Sequence, residues 1–145
     1  MAIDRYVTII AVSEAAHRVW PGFVAGENLA RAVFLAPDVE ALFDDAPEPV
    51  TQIVSLLRAG LRDLADDPVA IALVGELATS SATFARLWTT PHAISPSGMV
   101  QVTDGDSGWT TFDYRLQSWD GSPHIRVMTW TPGGSGMSGP VRQHP

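Results

Sequence analysis

Apolar residues change their spacing around Pro91, from that of a helix to that of a strand, and this switch constrains the fold more than any other feature of the sequence. Upstream, in EPVTQIVSLLRAGLRDLA, the residues Val50, Ile53, Val54, Leu57, Leu61 and Leu64 form one stripe, with Arg58 and Arg62 off it. That is an amphipathic helix with one face in a core. Downstream, WTTFDYRLQSW alternates, with Phe112, Tyr114 and Leu116 on one face and Thr111, Asp113 and Arg115 on the other. Alternation with one wet face belongs to an antiparallel sheet. Helices first and a strand meander last give an α+β fold, its helices gathered on one face of the sheet.

The remaining segments fit this plan. RYVTIIAV (residues 5–12) is rich in β-branched residues and reads as a buried strand that must join the late sheet. Ser13 is placed to cap a short helix in SEAAHRVW. ENLARAVFL reads as a helix ended by Pro37, and DVEALF as another capped by Asp38. The N–H groups that open the first of these could hold an anion, but Glu27 and Asn28 are positioned to satisfy them. DDAPEP reads as an acidic, proline-broken link. Asp67 then caps a helix with Pro68 in its first turn. That helix, VAIALVGELA, is apolar almost all round, which suits an interior or an interface. SSATFARLW follows, capped by Ser80 or Ser81, with Phe84, Leu87 and Trp88 on one side. GMVQVT and HIRVMTW read as strands, DGDSG and Asp120-Gly121 as turns. Residues 1–133 form one domain in this reading, and 134–145 a Gly/Pro-rich disordered tail.

Charge and composition exclude several functions. The net charge is −7, and the nine basic residues are all Arg, scattered along the chain. Gripping a nucleic-acid backbone takes clustered cations. The chain has no Cys, so disulfides and thiolate metal sites are excluded. No run approaches the ~20 apolar residues that span a bilayer, and MAIDRYVTII lacks the marks of a signal peptide. A cytoplasmic location is expected. His17, His92, His124 and His144 have no His or carboxylate three or four residues after them, and no nucleophile motif is present. The residues give no support for an enzyme, a metal or a cofactor. What stands out is aromatic excess: five Trp, five Phe and two Tyr. In the last strand Met128 and Trp130 alternate with Ile125 and Val127, so both faces are partly apolar. One face covers the helices, and the other needs a partner chain, a further helix or a ligand. A sheet covered by helices also makes a natural cavity for a small apolar molecule.

Three motifs carry a resemblance. DDPVAIALVGELATSSATFARLW supplies Asp67, Pro68, Leu73, Val74, Gly75, Glu76, Leu77, Ser81, Phe84, Leu87 and Trp88. WPGFVAGENLARAVFLAP supplies Pro21, Gly22, Phe23, Gly26, Asn28, Leu29, Arg31, Phe34, Leu35 and Pro37. Gly108, Tyr114 and Leu116 supply the third. Together the chain resembles the MmyB-like transcription-regulator ligand-binding domain over nearly all of residues 3–133. It departs from that pattern at Ser13, in FDDAPEP and in GDSG, where the family usually has other residues.

The resemblance implies a PAS-like sensor fold, fused in most members behind an Xre-type helix-turn-helix. DNA would then be contacted only through that other domain, which is absent here, so an isolated sensor portion or a natural truncation is expected. It further implies a homodimer and a small apolar ligand of fatty-acyl type. The expected walls are Phe34, Leu57, Phe84, Trp88, Phe112, Tyr114, Met128 and Trp130, with Tyr114 and Arg31 meeting a polar head. The competing expectation is a dimerisation or protein-interaction module with a filled core and no small-molecule ligand.

Overall fold

Both periodicities are realised in the computed structural model, which describes residues 1–37, 47–103 and 109–133. The helices are α1 (Glu14–Val19), α2 (Leu29–Phe34), α3 (Pro47–Gly60), α4 (Pro68–Ser80) and α5 (Ala82–Thr89). The strands are β1 (Ala2–Ile3), β2 (Ile9–Ala11), β3 (Ser97–Thr103), β4 (Trp109–Trp119) and β5 (Ser122–Pro132). All pairings are antiparallel, in the order β2-β1-β5-β4-β3. This is an α+β fold. The segment DVEALF, the DGDSG turn and the tail from residue 134 lie outside the described residues.

Local chemistry sets the helix ends. The side chains of Ser13, Asn28, Asp67 and Ser81 each accept from the backbone N–H three residues on. Each thereby satisfies a donor that the helix leaves open. Asn28 therefore occupies its own helix N-terminus, and Nδ2 also donates to the Tyr6 carbonyl at 2.7 Å. α3 begins at Pro47, inside the expected proline-broken link. The first-turn N–H groups have no intrahelical partner, so Pro47 and Pro49 cost little there.

The segment 5–12 is not one strand. A turn at Arg5 and Tyr6 separates β1 from β2. Asp4 Oδ1 accepts from the N–H groups of Tyr6 and Thr8, both at 2.9 Å. Val7 sits at φ 56. For a β-branched residue that is a strained conformation, costing of order 1–3 kcal/mol. The Asp4 clamp and the bond from Leu29 N–H to the Val7 carbonyl (2.9 Å) hold it. The same region aligns α2, because Ile9 N–H donates to Glu27 and Gly26 N–H to Ile9.

The sheet has one covered face. Ile3 and Ile9 pair across β1 and β2, and Leu116 opposes Met128 across β4 and β5. All four are buried in one core with Leu29, Phe34, Leu57, Leu73, Leu77 and Phe84 from the helices. Ile10 and Met99 on the other face are exposed. α4 buries only Ala70, Leu73 and Leu77, so of the two settings expected for it the wholly interior one is excluded. Its Val69 and Ile71 are 58% and 59% exposed. Gln52, buried on α3, donates to the Ser95 carbonyl (2.6 Å) and accepts from its N–H (3.0 Å), fixing where β3 begins.

Two glycines distinguish crowding from helix propensity. A Cβ at Gly60 would meet the Arg5 carbonyl oxygen at 2.0 Å, whereas one at Gly75 meets nothing within 4 Å. Gly60→Ala is expected to cost about 2 kcal/mol or more in urea unfolding. Gly75→Ala, in the interior of α4, is expected to stabilise by about 0.5–1 kcal/mol.

Candidate functional site

Two groups of aromatic side chains meet the core from opposite layers. On the helical side Phe34 of α2 packs edge-on against Phe84 of α5, with centroids 5.2 Å apart. Phe84 stacks on Trp88 at 5.5 Å. The Ser81 cap starts α5 so that Phe84 and Leu87 turn inward, both buried. Arg58 lies over the Trp88 ring, 5.1 Å from its centroid, and donates to the Leu87 and Trp88 carbonyls. It both closes the end of α5 and covers the half-buried ring. Leu57, one position earlier on α3, is fully buried.

On the sheet side Tyr114 opposes Trp130, and Phe112 opposes Pro132. Trp20, the C-cap of α1, packs against Trp130 (4.9 Å), Phe112 (6.3 Å) and Phe23 (5.4 Å). These four rings are partly exposed, unlike Phe34 and Phe84. The structure thus groups Phe34, Phe84 and Trp88 in one cluster, and brings Phe112 and Trp130 together against Trp20. Leu57 and Met128 belong to the core that joins the two layers.

Tyr114 is different in kind. It is 4% exposed, and its Oη has no hydrogen-bond partner, the sole buried side-chain polar atom of which this is true among the described residues. Burial pushes the phenol above its usual range and Glu48 raises it further, while the Ser95 side chain, near enough to favour the phenolate, lowers it; its geometry to Oη is not that of a hydrogen bond. The group is therefore a protonated donor at neutral pH. Gly98 opposes Tyr114 on β3, and a Cβ there would lie 2.9 Å from Oη. Only a glycine lets the ring lie where it does.

Arg31 stands apart from these groups. Its guanidinium pairs with Glu76 at 2.7 Å, joining α2 to α4, and the two side chains are 48% and 41% exposed. Sequence reasoning did not single out Trp20, Gln52 or Gly98, and Phe23 entered it only as a motif residue. The Pro-Gly-Phe motif after Trp20 was its nearest signal. A cavity of about 50 Å³ lies at the hairpin end of β5, lined among others by Asp4, Arg5, Val7, His124 and Arg126. It has room for little more than water. Among the described residues no three His, Asp or Glu side chains are grouped to hold a metal. No helix of the described residues is long and apolar enough to cross a membrane.

An antiparallel sheet with aromatic helices on one face and an unsatisfied donor between them has the form of a binding domain. The MmyB-like transcription regulator ligand binding domain model matches residues 1–136, and the chain belongs to that family. It is thus a ligand-binding domain of a transcription regulator, and its family is not one of enzymes. No curated protein and no solved structure matches the chain.

Truncations should separate filled core from functional surface. Phe84→Ala is expected to cost about 3–5 kcal/mol in chemical unfolding, and Trp88→Ala, half-buried, clearly less. Tyr114→Phe is expected to stabilise the ligand-free domain by about 1 kcal/mol or more, because it deletes a buried unsatisfied hydroxyl. Loss of stability on that substitution would mean that Oη has a partner.

Proposed function

We propose that a small, mainly apolar ligand of acyl-chain type enters the helix–sheet space beside Tyr114 and Trp130. Its walls are Phe34, Leu57, Phe84, Trp88, Phe112 and Met128, and its polar end meets Tyr114 Oη. The observation that carries this is the orphan hydroxyl, because a buried donor without an acceptor is a standing cost that a ligand oxygen removes. Arg31 pairs with Glu76 at the surface, and in this reading Tyr114 alone meets the head. The strand order is compatible with a PAS-like sensor, and the chain would act in the cytoplasm as a homodimer beside a DNA-contacting domain.

The output is a population shift. The ligand favours one arrangement of the domain and so biases the spacing of two attached DNA-binding heads. Moving such an equilibrium from about 1:99 to 99:1 needs about 10⁴-fold preferential binding. Thermal unfolding with medium-chain acyl and alkyl compounds tests the first half. A ligand at about 100 times its Kd adds about 2.7 kcal/mol, which is a rise of several degrees in Tm. No stabilisation and no bound mass in native mass spectrometry across such a series would end the ligand reading.

A specific observation favours the interaction-module reading: Val69 and Ile71 expose an apolar strip on α4. If that strip is a dimer interface, Ile71→Glu lowers the sedimenting mass while leaving ligand-induced stabilisation intact.

A further inference from the structure

Resting on that reading of the helix–sheet space, we infer that the ligand's polar end is an uncharged oxygen acceptor, such as an alcohol, ester or amide, and not a carboxylate, sulfate or phosphate. The donor waiting for it is a single phenol, Tyr114 Oη. Its proton is held more firmly than usual, so it offers a hydrogen bond and no charge.

The surroundings carry the wrong sign for an anion. Among the described residues the charge acting on the phenol is the carboxylate of Glu48. Of the nearby cations, Arg58 is engaged with two carbonyls and the Trp88 ring, and Arg31 with Glu76. Arg115 follows Tyr114 in β4 and is exposed, on the opposite face of the sheet. Arg5 and Arg126 line the small cavity at the far, hairpin end of β5. The two internal segments outside the described residues add nothing positive. DVEALFDDA (38–46) has four acids and no Arg, Lys or His, and DGDSG (104–108) has two acids and likewise no base. A carboxylate brought here would lose its water without gaining Arg5, Arg31, Arg58, Arg115 or Arg126, and a buried unpaired charge instead takes up a proton or stays out. A neutral carbonyl or hydroxyl oxygen needs only the one donor that is present.

A matched set of decanol, decanamide and decanoate tests this on the whole chain by calorimetry at about pH 8, where a free fatty acid is ionised. Decanol and decanamide are expected to bind about tenfold or more tightly than decanoate, which corresponds to about 1.4 kcal/mol. Decanoate is expected to close the gap as the pH falls toward about 5 and the acid becomes neutral. Tyr114→Phe should weaken decanamide about tenfold. Glu48→Gln, at an exposed position that the fold tolerates, should narrow the discrimination against decanoate. Decanoate binding as tightly as decanol at the higher pH overturns the inference. Binding by none of the three overturns the ligand-site reading beneath it.

Discussion

The pairing of β1 with β5 is the constraint on which the rest depends. It sets Ala2 against Val127 and Ile3 against Arg126. The terminal ammonium donates to the Met128 carbonyl (3.0 Å), and Met128 N–H donates back to Met1 (2.8 Å). Nearly the whole chain lies between these partners, so their closure is entropically expensive and waits for other contacts to compensate. Those contacts are the helices. Ile3 and Ile9 bury against the same core as α2, α3 and α4, so the central pair of the sheet and the helical layer stabilise one another. Neither half has a complete core without the other.

That arrangement explains why the buried face carries so many rings. β4 and β5 present Tyr114, Leu116, Met128 and Trp130 to the helices at alternate cross-strand pairs, Tyr114↔Trp130 and Leu116↔Met128. Leu116 and Met128 fill the centre. Tyr114 and Trp130, one pair further out, reach where the helical cover gives way to Trp20. A phenol at that boundary is too deep for water and has no protein acceptor. An apolar side chain would serve stability better, and a protein that keeps the hydroxyl accepts a cost in the free state.

Much of this was legible in the sequence because it is local. The α3 stripe as far as Leu57, the Asp67-Pro68 start of α4, the Ser81 cap and the Phe112–Tyr114–Leu116 face follow from periodicity and capping chemistry and are found, while Leu61 and Leu64 fall past the end of α3 at Gly60. What was not legible depends on distant partners. RYVTIIAV has strand composition throughout, but the Asp4 carboxylate captures two backbone N–H groups and bends it into a hairpin. Nothing local to Arg31 announces that Glu76, 45 residues away, pairs with its guanidinium. Val69 and Ile71 look buried by composition, yet α4 packs by one narrow side. No pattern announces that Tyr114 lacks an acceptor, because that is a property of everything around it.

For the proposed ligand, the point of entry follows from which rings can yield. Phe34, Leu57 and Phe84 are almost wholly buried, and shifting any of them opens a void inside a close-packed interior. Trp88, Phe112, Trp130 and Trp20 are only partly buried, and each can rotate toward solvent while losing fewer contacts. Three of these four, Trp20, Phe112 and Trp130, form one cluster on the side where Tyr114 pairs with Trp130. A chain-like ligand that parts that cluster exchanges ring contacts for its own and reaches the phenol without disturbing the Phe34–Phe84 pair. In the proposed reading the core is the fixed wall, and Trp20, at the end of α1, is the ring whose contacts with Phe112 and Trp130 a ligand exchanges for its own.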